Sequence, residues 1–361
     1  MKLIHVIGAR PNFMKAAPVW SAINRMTDFN QILVHTGQHY DKLMSDIFFN
    51  ELQMPVPDYN LNIGSDTHAR QTAAIMIKFE ELVNELKPDL VLVYGDINST
   101  VAAAMVCAKI QIPFAHVEAG LRSFDLRMPE EINRLITDRL ADILFTPSKD
   151  GDDNLIKEGT PKSKINFVGN VMIDTLVRLL PKAVKPDKLR DLNQYVLVTL
   201  HRPSNVDEPK SLQSIIRNLQ EISKSIPVIF PVHPRTKKMI AENNLDISDN
   251  INFRLIDPLG YLDFLGLMKN ASVVVTDSGG IQEETTYLGI PCITVRENTE
   301  RPITISLGTN QLIGKDYHKL PNLVNTSISE KGKANTIPPL WDGKASERIV
   351  EILLTYNRNL K

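Results

Sequence analysis

Short runs of β-branched and apolar residues recur along the chain, separated by stretches whose apolar positions return every three or four residues. The first run, Lys2–Ile7, predicts a strand that ends in Gly8-Ala9-Arg10-Pro11-Asn12 and hands over to a helix near Phe13-Met14-Lys15. Strand-like runs follow at Gln31–His35, Leu90–Tyr94, Pro113–Val117, Ile143–Phe145 and Ile165–Val168. Amphipathic stretches such as Thr72–Leu86 and Thr100–Lys109 lie between them and predict helices. A second series runs through Tyr195–Thr199, Pro227–Pro231, Ile251–Leu255, Ser272–Thr276, Pro291–Val295 and Thr309–Leu312. Alternation of this kind predicts right-handed βαβ units and parallel sheets, arranged as two doubly wound α/β domains joined near Gly169–Pro181, with a cleft between them.

The sharpest local pattern is Ala271–Glu284. The run Val273–Val275 stops at Thr276-Asp277, and Gly279-Gly280 lead into Ile281-Gln282-Glu283-Glu284: a buried strand, a tight turn and the first turn of a helix. At such a helix start the backbone N–H groups of Ser278, Gly279 and Gly280 face outward with the positive end of the helix dipole, a favourable place for an anion. Two glycines without a Cβ let a phosphate approach the backbone closely. An ordinary strand-to-helix turn has the same pattern, and Glu283-Glu284 tip the balance, because two carboxylates suit a ribose diol better than a phosphate. A nucleotide diphosphate is the ligand this stretch points to.

Composition narrows the class. With 361 residues the chain holds about two domains, each large enough for its own core. Hydrophobic residues at 43% and charged residues at 23% suit a globular enzyme rather than a fibrous or disordered chain. A net charge of −1 provides no general attraction to nucleic acid or to an anionic membrane. Cys107 and Cys292 sit far apart in apolar surroundings and read as buried thiols, neither a disulfide framework nor a metal site. No signal peptide precedes the first strand and no apolar run approaches the roughly 20 residues that span a bilayer, so a cytoplasmic protein is expected.

Ligands of doubly wound sheets bind beyond the carboxyl ends of the strands, and the polar residues that stand out lie at those ends. The first half places Arg10, Lys15, Asp96, His116, Glu118 and Arg122 there; the second places His201-Arg202, His233-Pro234-Arg235, Asp277-Ser278 and Arg296. Taken singly, each reads first as a cap or a surface ion pair: Asp96 before Asn98-Ser99-Thr100 as a helix cap, Glu130 and Glu131 after Pro129 as first-turn acids complementing a helix dipole. Glu118 ends a strand too apolar to be exposed, and a buried carboxylate needs a partner. Arg122 is the structural partner the sequence offers, but catalysis is the favoured reading. His116 and Glu118 alternate and are expected to face the same way, yet no third ligand at useful spacing supports a metal site.

These residues also carry a family likeness. Gly8-Ala-Arg-Pro11 with Lys15, Thr36-Gly-Gln-His39, Gly95-Asp96, His116-Val-Glu-Ala-Gly-Leu-Arg122 and Pro129-Glu-Glu-Ile-Asn-Arg134 belong to it. So do His201-Arg202, His233-Pro-Arg-Thr236, Asp277–Glu284 and Thr299-Glu-Arg-Pro302. In order, and over nearly its whole length, the chain resembles the non-hydrolysing UDP-N-acetylglucosamine 2-epimerases. The resemblance implies a GT-B-like fold with two Rossmann-like domains, at 1–172 and 173–344, and a helix in 345–361 packing back on the first. It implies inversion at C2 of the sugar by elimination of UDP to a 2-acetamidoglucal and re-addition, needing neither a nicotinamide nor a metal, and it implies a homodimer serving surface polysaccharide synthesis.

By motif, Asp96, Glu118 and Glu130 match the family's catalytic carboxylates, and Arg10, Lys15 and His201 match residues that contact or stabilise the diphosphate, Lys15 and His201 counting among the catalytic set. Ser278, Gly279 and Gly280 match the phosphate turn, Glu284 a ribose contact, Phe264 an aromatic near uracil and Arg301 a nucleotide-contacting arginine. Gln38, His39, Arg70 and Gln71 match positions with which some bacterial members bind a second substrate molecule as activator, whereas Asp41 replaces a glutamine there. Other departures are Asn12 and Ser204 where many members have Glu, Ile303 after Glu-Arg-Pro, and a shorter segment between Glu118 and Glu130. The competing readings are a 2-epimerase of another UDP-sugar such as UDP-2,3-diacetamido-glucuronate, a hydrolysing epimerase, a GT-B glycosyltransferase and a non-catalytic nucleotide-sugar sensor.

Overall fold

The structure is a computed structural model that describes residues 1–38, 51–245, 251–330 and 336–359; of Arg10 and Asn359 it describes the backbone alone. The chain divides into two compact units, Met1–Arg178 with Pro339–Lys361, and Leu179–Pro338.

The first unit is built on a parallel sheet of seven strands: β1 (Lys2–Ile7), β2 (Asn30–His35), β3 (Tyr59–Asn60), β4 (Leu90–Tyr94), β5 (Phe114–Val117), β6 (Ile143–Thr146) and β7 (Ile165–Phe167). Their order is β3-β2-β1-β4-β5-β6-β7, so the chain reverses its direction of travel across the sheet between β1 and β4. At such a switch point the loops after two neighbouring strands turn to opposite faces and leave a crevice. Helices flank the sheet, and Ile4, Val6, Val91, Val93, Phe79 and Ala103 pack into one core, as near-continuous apolar strands of a two-sided parallel sheet require.

The last segment of the chain closes this unit. Trp341 is buried and its indole N–H donates to the Pro147 carbonyl at 2.9 Å. Gly169 admits the segment: it has φ +89°, and a Cβ there would lie 2.1 Å from the Leu340 carbonyl oxygen. The helix Ala345–Asn359 packs on the helix Arg10–Met26. Its first N–H groups, from Ala345 and Ser346, donate to the Asp174 carboxylate at 3.0 and 2.6 Å, so an acid borrowed from another helix satisfies orphan donors and the dipole together.

The second unit has six parallel strands: β8 (Val196–Thr199), β9 (Val228–Pro231), β10 (Phe253–Ile256), β11 (Val273–Thr276), β12 (Cys292–Thr294) and β13 (Asn310–Leu312). Their order, β10-β9-β8-β11-β12-β13, puts the switch point between β8 and β11. Val196, Val198, Val273, Val275, Phe230 and Leu219 share its core. Among the described residues no helix is long and apolar enough to cross a membrane.

Most expected elements appear, with shifted ends. The helix expected from Thr72 begins at His68, because the Thr67 hydroxyl caps it by accepting the Arg70 N–H. The strand expected at Ile251–Leu255 occupies Phe253–Ile256. β3 was not expected at all; two exposed residues carry no periodic pattern.

Removing the Trp341 side chain deletes a buried aromatic and orphans a carbonyl. Trp341→Ala is expected to cost about 3–5 kcal/mol, read as an earlier urea transition of the first unit while the second unit's transition stays in place.

Candidate active site

The first unit's switch point carries one tightly built constellation. β1 runs into Gly8 and the helix Arg10–Met26, and β4 into Gly95-Asp96 and the helix Asn98–Ile110. One turn into its helix, Lys15 is buried, and its ammonium lies 2.5 Å from Glu118 Oε2, with only 6% and 2% of the two side chains exposed. Buried charges of this kind persist only in pairs. Gly95 makes room for the lysine: its φ is +59°, and a Cβ would sit 2.5 Å from Lys15 Nζ.

Glu118 itself has φ +75°, a left-handed conformation that is uncommon for a non-glycine residue and that collects at functional sites. β5 ends at Val117, and the N–H groups of Glu118 and Ala119 both turn to the Phe145 carbonyl, at 3.1 and 3.0 Å. Strand alternation therefore stops before Glu118 and does not set its direction relative to His116. The pairing with Arg122 that the sequence offers is not the one made. Arg122 instead forks onto Glu158 and reaches Asp138 at 2.7 Å, while the carboxylate goes to Lys15.

The helix Pro129–Leu140 ties this edge together. At its exposed first turn stands Glu130. Glu131 turns inward and accepts the N–H groups of Ser123 and Phe124, both at 2.9 Å, as well as the Arg134 guanidinium. Burial raises the Glu131 carboxyl, but those N–H groups and Arg134 outweigh it and hold it below its usual range. Arg134 also pairs with Asp96, whose carbonyl takes the Asn133 amide at 2.9 Å. Asp138 accepts from His116 Nδ1 at 2.6 Å, Arg122 at 2.7 Å and the Gly120 N–H at 3.0 Å. His116 Nε2 donates to the Gly95 carbonyl at 2.7 Å. Burial raises the Asp138 carboxyl, and His116 and Arg122 together bring it below the usual range. With both ring nitrogens engaged, His116 belongs to the scaffold of the site.

Asn12, a departure from the family pattern, is buried and accepts the Gly8 N–H while donating to the Tyr94 carbonyl at 2.8 Å, so it pins the β1 turn to β4. Gln38 and Gln71 lie together on the same edge. Ser99 donates to Gln38 Oε1 at 2.8 Å, Gln71 donates to the Gly64 carbonyl, and Asn98 donates to Gln71 Oε1 at 2.8 Å. Arg70 is exposed one residue away; His39 and Asp41 lie outside the described residues.

The second unit's switch point is organised by Asp277, fully buried just past β11. Its carboxylate accepts the N–H groups of His201 and Arg202 and the Asn205 amide at about 3 Å, and lies 3.3 Å from His201 Nδ1. The acid thus orients an imidazole that is itself 44% exposed. His233 lies with its ring centroid 6.2 Å from that of His201; burial, then His201 and Arg235, lower its pKa.

Ser278 stands at the N-cap position of the helix Gly279–Leu288 without a side-chain capping bond, at the turn that the sequence marks as a phosphate site. A Cβ at Gly279 would lie 2.5 Å from an Arg301 nitrogen and 2.8 Å from Glu300 Oε1, so this glycine is needed for a guanidinium to reach the turn. Arg301 bridges Glu283 at 2.9 Å and Glu300 at 2.5 Å, and Arg296 holds the other Glu300 oxygen at 2.7 Å. Burial raises the Glu300 carboxyl, yet Arg301 and Arg296 hold it far below the usual range. Glu284 is buried and accepts the Tyr261 hydroxyl at 2.8 Å, and Phe264 is half-buried on the same helix, Tyr261–Met268.

Within each unit the expected residues therefore converge: Lys15, Asp96 and Glu118 in the first; His201, Ser278, Gly279, Glu284 and Arg301 in the second. Sequence reading passed over Asp138, Glu300 and Tyr261. Only Glu300, inside Thr299-Glu-Arg-Pro302, carried a signal. Cys107 and Cys292 are buried, and burial pushes both thiols up, Cys292 to about 11. Among the described residues no cluster of three or more His, Cys, Asp or Glu has the arrangement to hold a metal ion.

A family model for UDP-N-acetylglucosamine 2-epimerase matches residues 21–354. The chain is 44% identical to the UDP-N-acetylglucosamine 2-epimerase of Methanocaldococcus jannaschii, over 99% of this chain and 100% of that one. It is 42% identical to the UDP-2,3-diacetamido-2,3-dideoxy-D-glucuronate 2-epimerase of Pseudomonas aeruginosa, over 98% and 99% of the two chains. The crystal structure of the M. jannaschii UDP-GlcNAc 2-epimerase in complex with UDP-GlcNAc and UDP matches with a TM-score of 0.90 at 44% identity, covering 98% of this chain and 100% of that one. Two parallel sheets with flanking helices reproduce the GT-B-like fold of that structure. With its motifs in order along both sheets and a match over nearly its full length, the chain belongs to the UDP-N-acetylglucosamine 2-epimerase family.

Proposed function

We propose that this chain is a non-hydrolysing UDP-N-acetylglucosamine 2-epimerase that interconverts UDP-N-acetylglucosamine and UDP-N-acetylmannosamine. The observation that carries the reading is the buried Lys15–Glu118 pair beside Asp96, in a chain 44% identical to a UDP-N-acetylglucosamine 2-epimerase over its whole length. The C2 proton is not next to a carbonyl, so simple deprotonation is too slow. A carboxylate takes that proton, the C1–O bond breaks with its electrons leaving on UDP, and a C1=C2 double bond forms. A proton then arrives on the opposite face of C2 as the UDP oxygen returns to C1. The sequence is redox-neutral, and UDP must be held while it is unbonded.

Acid and base are drawn from Asp96, Glu118 and Glu130. Lys15, Arg10 and His201, the last oriented by Asp277, stabilise charge on the departing diphosphate. Ser278, Gly279 and Gly280 hold phosphate, Glu284 the ribose, Phe264 the uracil and Arg301 the nucleotide. Gln38, His39, Arg70 and Gln71 form a second site where UDP-N-acetylglucosamine acts as activator, with Gln38 and Gln71 coupled to the helix after Asp96 through Ser99 and Asn98. The product is an activated N-acetylmannosamine for surface polysaccharide synthesis, and the family likeness supports a homodimer.

Proton NMR of the protein with UDP-N-acetylglucosamine in D2O is expected to show UDP-N-acetylmannosamine carrying deuterium at C2. Glu118→Gln is expected to slow this roughly 10²–10⁴-fold, with a thermal melt confirming a folded variant. Free N-acetylmannosamine would make the protein a hydrolysing epimerase, and exchange only with a carboxylated UDP-sugar would move the substrate. Gly279→Ala pushes the Arg301 guanidinium aside; a charge-assisted contact is worth about 1.5–3 kcal/mol, so calorimetry is expected to find UDP bound roughly 10- to 100-fold more weakly. Initial rates against UDP-N-acetylglucosamine are expected to curve upward at low concentration; a plain hyperbola would remove the activator site.

A further inference from the structure

One buried carboxylate outside the groups assigned above touches the turn that carries Glu118 directly and the turn that carries Asp96 through His116. Asp138, near the C-terminal end of the helix Pro129–Leu140, is not among the residues assigned to substrate. Its Oδ2 accepts the N–H of Gly120, two residues after Glu118, and its Oδ1 takes Nδ1 of His116, two residues before it. The left-handed Glu118, at φ +75°, is thus anchored on both sides by a single side chain. A carbonyl has no hydrogen to give, so His116 Nε2 is the donor to the Gly95 oxygen, and Gly95 is the residue before Asp96. Arg122, forked onto Glu158, holds the same Asp138 oxygen from a third direction.

We propose that Asp138, acting through His116, is a positioning residue that sets the separation of Glu118 and Asp96 in the epimerisation. This assignment rests on the epimerase reading. The strain at Glu118 makes the anchoring necessary: a non-glycine residue at positive φ relaxes toward the extended region unless its neighbours are held. A displacement of about 1 Å at a catalytic group costs roughly 100-fold in rate, while nucleotide held by the second unit's residues does not depend on this clamp.

Asp138→Ala is therefore expected to lower kcat about 100-fold, with the KM for UDP-N-acetylglucosamine and the Kd for UDP within about twofold of the unmutated protein. Asp138→Asn is expected to recover most of that loss. Its amide oxygen can keep the Gly120 N–H, and its NH2 can donate to a neutral His116 whose Nε2–H still reaches Gly95. If Asp138→Ala does not fold, His116→Asn provides the second arm. Its shorter amide stays within reach of Asp138 but no longer reaches Gly95, and kcat is expected to fall without a matching rise in KM. A folded Asp138→Ala, or a folded His116→Asn, with kcat within threefold of the unmutated protein overturns the proposal. So does a loss confined to KM. The unmutated protein serves as control: if it turns over no UDP-sugar, the epimerase reading fails, whereas turnover with insensitive variants fails the clamp alone.

Discussion

A lysine ammonium and a carboxylate buried together at 2.5 Å constrain everything around them in the first unit. Removing one partner of such a pair costs about 3–5 kcal/mol, because the other is left charged and dry. The neighbouring backbone is arranged to allow the pair. Gly95 gives up its side chain so that Lys15 can pass, Glu118 accepts a left-handed conformation so that its carboxylate can turn to meet it, and Asn12 fastens the loop from which the lysine's helix begins. The motif Gly8-Ala-Arg-Pro11, Gly95-Asp96 and His116–Arg122 is the sequence trace of that single arrangement.

The second unit solves a related problem, a buried carboxylate, with other partners. There the buried group is an acid, Asp277, and its partners are backbone N–H groups, an amide and an imidazole. Fixed dipoles satisfy a carboxylate without cancelling its charge, and the same carboxylate stands against the His201 ring. Next to it, Arg301 and Arg296 alternate with Glu283 and Glu300, a lattice whose charges balance in the dry interior. In both units the candidate site residues lie by the strand pair where the sheet order reverses, β1/β4 and β8/β11.

What the sequence reveals depends on the range of the interaction. The two series of strands are legible because apolar runs and helical periods are local, and the strand-to-helix turn after β11 is legible because Val273–Val275, Ser278 and the glycines stand side by side. The partner of Glu118 is not. Arg122 is the nearest cation along the chain, whereas Lys15 is brought to it by the neighbouring of β1, β4 and β5. Asp138 is equally hidden: in the helix Pro129–Leu140 it reads as one more polar position, and its partners lie on β5 and in the turn that follows. β3, two residues long, offers no periodicity to find.

The closing segment has a consequence for how this protein is made. The second unit is one continuous stretch, Leu179–Pro338, while the first is completed only by residues that follow it. During synthesis, which adds about 5–20 residues per second, the second unit has all its strands before Trp341 and the Ala345–Asn359 helix exist. Until then Asp174 lacks the N–H groups it caps and the Pro147 carbonyl lacks its indole. The part of the chain that emerges first is therefore the part that is finished last, and it waits with an open flank for its own C-terminus.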